Sequence, residues 1–432
     1  MERLGYAATG WDPTHRPDTP HVAADVVNLG YVVNVIENPS ERKATLSNAW
    51  RLTRQLLIVS ARLYGDRDRA GATTFGDGCL TQRGTFQKFY SQVELRDWIN
   101  ETLKEQSVAA APGVFFVFRD EGIRQRFLAS RFRQIRAVPT VRISDVLYEK
   151  HKDLLRPLIE FVTERGRLPE TRELETASKL ESLFGSIRKA FSVIRQVTGP
   201  DQWELIRKGR EQELLIHLAL DRFRRRARFT ELPTDMQLDI RDFFSTYSRA
   251  CEMADELLFS AGNLKELNRA MQKSTTGKLT AEALYVHVDA IPRLDTCLRI
   301  YEGCARGYLG VVEGANIVKL HRMEPMVSYL SYPDFDTIPH PALMGSLSLK
   351  LSKASVRYLD YSSSENPPIL HRKEEFLAPD DPRREKFSRL TRQEEKRGLF
   401  EDTTIIGTRR VWEQVLTAHG VELHGHRLTR AR

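Results

Sequence analysis

Residues 24–60 restrict the fold more than any other stretch, because two continuous apolar runs bracket a helix with a clear start signal. The run ADVVNLGYVV begins at Ala24 and has a β-branched, unalternating centre at Asp25-Val26-Val27. Strands covered on both faces have this pattern, so a central parallel strand is expected here. Asn38-Pro39-Ser40-Glu41 then supplies an N-cap, a proline at the first helical position and a glutamate at the third, opening a helix expected to reach about Arg54. Leu56 to Ser60 is the second apolar run. Further on, Ser91 and Glu94 form a capping box for a helix carrying Leu95, Trp98, Ile99 and Leu103 on one face. Ser107–Ala111 and Val114–Phe118 flank Pro112-Gly113, which predicts an antiparallel hairpin. Before all of these, Tyr6 to Asp12 predicts a short strand stopping at a carboxylate in front of Pro13.

Strand, helix, strand, helix and closing hairpin is the order in which the sheet of class I S-adenosylmethionine-dependent methyltransferases finishes. ADVVNLGYVVNVIENP resembles the fourth-strand motif of that family, and GYAATGWDP resembles its second strand. The resemblance implies that Asp12 holds the cofactor ribose and that Trp11 or Pro13 packs on its adenine. Leu29 and Gly30 would present backbone to the cofactor, and Asn28 or Tyr31 would orient the methyl acceptor, with Asn34 close by. A carboxylate can accept two hydroxyl hydrogen bonds, and open α/β sheets bind ligands outside the carboxyl ends of their strands.

A narrower resemblance spans most of the chain. FGDGCLTQRGTFQKFYSQVELRDWI, YEGCARGYLG, VEGANIVKLHR, SYLSYPDFDT and NPPILHRKEEF resemble the methyltransferases associated with DNA phosphorothioation. The family would have a first strand and a DxGxGxG loop just upstream of RLGYAATGWD, where glycines let the backbone approach the cofactor. Gly76-Asp77-Gly78 lacks the preceding apolar strand, and only 12 residues, Pro13 to Ala24, lie between Asp12 and Asp25. The expected fold is therefore a Rossmann-like class I methyltransferase sheet, N-terminally truncated, followed by a multi-helix domain and a smaller α+β region. The favoured explanation of the truncation is an internal Met1 in a longer, active protein; the rival is a cofactor-incompetent copy.

The boundaries expected are 1–136, 137–310 and 311–432. From about Ile143 to Gly310 apolar residues recur at helical spacing, as at Leu154, Leu155, Leu158, Ile159 and Val162. Breaks fall at Gly166-Arg167-Leu168-Pro169, Gly199-Pro200, Leu232-Pro233 and Gly262-Asn263. The last region mixes strand-like runs (315–320, 326–332, 355–359) with a charged helical tract from Asp381 to Gly398.

With 432 residues, 41% of them hydrophobic, and a formal charge of +8, the chain can build cores and is compatible with a polyanionic partner. Arg222, Arg224, Arg225, Arg226 and Arg228, with Phe223 and Phe229 interleaved, form the candidate nucleic-acid surface, since arginines pair with phosphates and stack on bases. A solvated helix face pairing with local acids has the same composition. Asn366-Pro367-Pro368-Ile369 resembles the N/D-P-P-aromatic motif of DNA amino-methyltransferases only superficially, with isoleucine in the aromatic position; a turn is expected. The four cysteines form no CxxC pair, and the histidines lack metal-ligand spacing, so no metal is expected. Without a leader or a spanning apolar run, a cytoplasmic location is expected. The function these features imply is transfer of a methyl group from S-adenosylmethionine to a nucleic-acid-related acceptor, with DNA and other proteins of a modification system as partners. The alternative is a non-enzymatic DNA-binding or scaffolding component on a decayed methyltransferase fold.

Overall fold

The computed structural model describes residues 7–12, 15–16, 18–64, 73–81, 84–131, 148, 150–403 and 405–431. The protein is mixed α/β and divides into two compact units, Met1–Glu121 with Arg306–Glu313, and Gly122–Ala305 with Gly314–Arg432. The first unit is thus composed of two separate stretches of chain, which the expected boundaries at 136 and 310 do not anticipate.

In the first unit β1 (Ala24–Gly30) and β2 (Thr53–Ser60) run parallel, with Leu29 opposite Val59 and Gly30 opposite Ser60. The crossover between them is α1 (Pro39–Leu52), whose N-cap Asn38 accepts from the Ser40 and Glu41 amides. The helix stops at Leu52, short of Arg54, because Thr53 is extended and its hydroxyl donates to the Ala49 carbonyl at 2.8 Å. A small antiparallel sheet follows: β3 (Thr73–Phe75), β4 (Gly78–Leu80) and β5 (Phe86–Gln87). Helix α2 (Gln92–Leu103) has the expected Ser91–Glu94 capping box and buries Leu95, Ile99 and Leu103. β6 (Ser107–Ala111) and β7 (Val114–Phe118) pair as the expected hairpin, with Gly113 at φ +72° in its turn.

The larger sheet has the order β1-β2-β7-β6. β7 is antiparallel to both of its neighbours, so it sits inserted between β2 and β6. Leu57, Val59, Phe115 and Val117 are buried in its core with Leu46 and Ile99. Burying each such side chain is worth about 1.5–3 kcal/mol. The segment Arg306–Glu313 packs so that Gly310, at φ +81°, has Ala110 and Ala111 against it; a Cβ there would lie 2.5 Å from the Ala110 carbonyl carbon.

Two strand expectations are corrected. Residues 7–11 form no strand, and Asp12 makes only an isolated antiparallel bridge to Arg16. The Asp12 Oδ1 accepts from the His15 amide at 2.6 Å, so the short acid closes a local turn in place of ending a strand. β1 is the edge strand of its sheet among the described residues, not a central one. Val26 is 47% exposed, so its β-branched run reflects strand propensity more than burial on both faces.

In the second unit, helices dominate up to Lys273. They are α3 (Glu121–Ser130, beginning at the unit boundary), α4 (Lys152–Arg165), α5 (Ala177–Phe184), α6 (Ile187–Thr198), α7 (Asp201–Asp221), α8 (Thr234–Phe244), α9 (Tyr247–Gly262) and α10 (Leu264–Lys273). All four expected breaks fall between these helices. Leu155, Leu158, Ile159 and Val162 of α4 enter a core shared with α5 and α6.

The chain then turns to strands earlier than the pattern suggests. β8 (Lys278–Leu279) and β9 (Ala283–His287) precede α11 (Thr296–Leu309), and join β10 (Ile317–His321), β11 (Met326–Ser331), β12 (Gly345–Lys350) and β13 (Ser355–Asp360). All are antiparallel, in the order β13-β12-β11-β10-β9-β8. Helices α12 (Arg383–Lys396) and α13 (Arg409–Ala418) and the hairpin β14 (Val421–Leu423), β15 (Leu428–Arg430) complete this part. No helix among the described residues is long and apolar enough to cross a membrane.

Candidate functional site

The carboxyl ends of β1 and β2 are where a parallel pair offers backbone to a ligand. The Tyr31 amide donates to the Ser60 carbonyl at 2.9 Å, and Tyr31 then turns the chain off the sheet at φ +57°. This left-handed conformation is uncommon for a bulky residue and marks a geometry that its neighbours enforce. Tyr31 is 57% exposed. Asn28 is exposed and lies over Gly30, where an added Cβ would be 3.3 Å from its Oδ1. Leu29 is buried in the core, so only its backbone is available to a ligand. Asn28, Leu29, Gly30 and Tyr31 are therefore brought together by one strand end.

The turn continues into Asn34, which is 1% exposed, with neither its side-chain amide nitrogen nor its carbonyl oxygen hydrogen-bonded to a described residue. Leaving such a group unsatisfied costs about 1–3 kcal/mol. Its backbone carbonyl accepts from the Lys88 amide at 2.7 Å, which ties the turn to the segment after β5. Arg42 of α1 holds the other flank: its guanidinium donates to the Ile36 carbonyl at 3.0 and 2.8 Å and to both Asp77 oxygens at 2.8 and 3.2 Å. The Arg42 hydrogen bond keeps the Asp77 carboxyl below the usual carboxylate range. Lys88 bridges Asp77 and Glu94 at 3.3 and 3.0 Å, over the ring of buried Tyr90. Burial pushes the Tyr90 phenol up, so it stays protonated. Arg42, Asp77 and Lys88 escaped the sequence reading because they bracket a site that no local motif marks.

The other residues expected to meet a cofactor, Trp11, Asp12 and Pro13, precede β1 in the chain. Trp11 is 48% exposed, edge-on to His21 at 4.5 Å, and Asp12 closes its turn on His15. Pro13 lies outside the described residues.

The arginines after α7 separate into two roles. Arg226 is nearly buried: it donates to the Leu218 carbonyl at 3.2 and 2.9 Å and to Asp255 at 2.5 Å, closing the end of α7. It is a structural clamp, which the sequence pattern could not separate from its neighbours. Arg224 is half-buried, while Arg222, Arg225 and Arg228 are exposed beside Phe223, itself 67% exposed. Arg222 and Arg228 lie 3.9 Å from Asp255 and Glu231, distances of loose ion pairs that solvent screens. Phe229 packs on Tyr247 with ring centroids 5.7 Å apart.

Asn366-Pro367-Pro368-Ile369 has a structural task. The Asn366 Oδ1 accepts from the Arg410 amide at 2.8 Å, and the Pro367 and Pro368 carbonyls accept from Arg409 and Leu343. This segment thereby caps α13 and joins it to the loop before β12. Among the described residues no group of three or more His, Cys, Asp or Glu is placed to hold a metal ion.

No family model, curated protein or solved structure matches the chain.

Proposed function

We propose that the protein is an S-adenosylmethionine-dependent methyltransferase of a DNA modification system, with the carboxyl end of β1 as its reaction site. The observation that carries this reading is the sheet order β1-β2-β7-β6 with β7 inserted antiparallel, together with Asn28, Gly30 and Tyr31 at the end of a parallel strand. That order is the one in which the resembled sheet finishes. The strand end suits the cofactor: Gly30 leaves backbone open, and the buried Asn34 amide can donate and accept one bond to a bound group.

S-adenosylmethionine supplies an electrophilic methyl group when bound. The protein's part is to place the acceptor in line with it, which needs orientation more than covalent help. Asn28 and Tyr31 orient the acceptor through an amide and a phenol, and Leu29 and Gly30 line the cofactor with backbone. Asp12 is the ribose ligand of this reading only if it exchanges its bond to His15. Exposed Arg222, Arg225 and Arg228 with Phe223 attract nucleic acid.

Isothermal titration of the full chain with S-adenosylmethionine tests the proposal. Binding that Asp12→Ala abolishes and Asn28→Ala leaves in place supports it; saturating cofactor with no heat of binding refutes it. The local turn at Asp12 and the edge position of β1 among the described residues favour a second reading, a DNA-binding or scaffolding component without catalysis. Salt-dependent DNA binding in the absence of cofactor binding would select that reading.

A further inference from the structure

Four segments of the second unit meet in a buried polar cluster that plays no part in the proposed reaction. His340 precedes β12, His371 follows the Asn366–Ile369 segment, Glu394 lies on α12 and Trp412 on α13. The rings of His340, His371 and Trp412 stand within 4.8 Å of one another, centroid to centroid. Glu394 is 1% and Trp412 3% exposed. The surroundings are apolar, with Ile369, Leu399 and Ile406 in the same core.

The backbone fixes which nitrogens carry protons. A carbonyl oxygen can only accept, so the His371 Nε2, 2.8 Å from the Ile406 carbonyl, bears hydrogen, as does the His340 Nδ1, 3.3 Å from that of Leu370. Neutral rings then leave a bare lone pair on the His371 Nδ1 and on the His340 Nε2. The latter lies 2.7 Å from the Glu394 Oε1. Two acceptors cannot make that contact, so one proton sits between them. An imidazolium–carboxylate pair would bury two charges out of water, whereas a carboxylic acid donating to a neutral ring buries none.

In this cluster three buried atoms have no hydrogen-bond partner among the described residues: Glu394 Oε2, His371 Nδ1 and Trp412 Nε1. Two are acceptors and one is a donor. A molecule bearing two donors and an acceptor complements them, and water is small enough to stand among atoms that are each cut off from bulk solvent. Arg372, Lys373 and Glu395 also face Glu394, and Lys373 and His426 face His340. Arg372 is engaged with Glu395 at 2.6 Å. The Lys373 amine is saturated by the Phe335 and Ile338 carbonyls, 2.6 Å each, and the His426 ring at 2.9 Å.

We propose that this cluster is a built internal site: Glu394 is a carboxylic acid hydrogen-bonded to neutral His340, and it holds one water molecule with His371 and Trp412. Burial acts in the same sense, pushing Glu394 up to about 8 and His340 and His371 down to about 3.

Histidine-labelled full chain at pH 7, read by long-range nitrogen–proton correlation, is the test. It should show His340 as the Nδ1–H and His371 as the Nε2–H tautomer, both neutral, the signals being assigned by His340→Gln and His371→Gln. Glu394→Gln, whose amide still donates to His340, should leave the His340 tautomer unchanged. A crystal structure should place a single water about 3 Å from at least two of the three atoms. An imidazolium at either position overturns the proton assignment. Density without a shared water, or with those atoms paired to protein groups, overturns the site.

Discussion

Replacing Glu394 by Gln should make the protein more stable relative to wild type as pH rises. The unfolded chain ionises this carboxyl near its ordinary value of 4.5, whereas the folded chain keeps the proton to about 8. Between those values only the native state carries the proton, so stability falls with rising pH. The window spans roughly 3.5 pKa units at 1.36 kcal/mol each, an order-of-magnitude loss of about 4–5 kcal/mol by pH 8. Solvent screening removes little of it, because Glu394 is 1% exposed. His340 and His371 act in the opposite sense: their folded values near 3 mean that their contribution is present above about 6.5 and lost as pH falls. Lys373, lowered to about 7, adds stability with rising pH above that point. Lys373 and the histidines are common to both proteins, so the wild-type minus Glu394→Gln difference reports the carboxyl together with its coupling to Lys373, and desolvation of the acid is the largest part of it. Urea unfolding at half-unit steps from pH 6.5 to 8.5 should show that difference moving by roughly 2 kcal/mol in favour of the variant, whatever its starting offset. A flat difference, or one moving toward wild type, would refute the assignment of a buried acid at this position.

Gly310→Ala should lower stability by about 2–4 kcal/mol, combining a positive φ with a clash against Ala110 and Ala111; a thermal midpoint within a degree of wild type would contradict that packing. Arg226→Ala should cost about 2–4 kcal/mol by leaving the Leu218 carbonyl unpaired and Asp255 with only its loose pair to Arg222, while Arg225→Ala should leave the melting temperature unchanged. If the exposed arginines contact phosphates, Arg225→Ala should also reduce the slope of log affinity for duplex DNA against log salt by about one; an unchanged slope removes Arg225 from the interface. Val26→Lys should be tolerated within about 0.5 kcal/mol and reduce self-association, because β1 is an edge strand among the described residues and Val26 is 47% exposed; denaturation showing a loss above about 2 kcal/mol would mean that Val26 is covered.

Features set by short-range chemistry were legible in the chain. The Asn38 cap, the Ser91–Glu94 box, the turn at Gly113 and the four helix breaks each depend on residues within a few positions of one another, and all fall where expected. Features set by pairing across distance were not. β12 was missed because GSLSLK alternates small polar with apolar residues too weakly to stand out from a loop, and only its pairing with β11 and β13 makes it a strand. Arg226 differs from Arg225 by the presence of Asp255 on α9, not by anything adjacent in sequence. The same limit explains the histidines. Spacing along the chain offers no reason to group His340, His371 and Glu394; the bridge of Ile369 to Ala342 brings the two histidine segments together, and Glu394 joins them through its 2.7 Å contact with His340.

The strand end at Gly30 shows how the two kinds of information combine. The family resemblance points to Asn28, Gly30 and Tyr31 at the end of an apolar run, and there Tyr31 is left-handed with its amide bonded to the Ser60 carbonyl. Position alone could not reveal that Asn34, three residues on, would be carried into the interior with its amide unmatched. Nor could it reveal the Arg42 and Lys88 charges that fix the surrounding loops. A buried amide without a partner among the described residues is costly unless something else requires it, and here it follows the end of the parallel pair β1 and β2 by four residues. The left-handed bend at Tyr31 brings its ring out to 57% exposure, and the next turn, closed by the Val35 amide on the Val32 carbonyl, carries Asn34 inward, so the residue proposed to orient an acceptor and the amide available to a ligand are set by two successive turns within five residues.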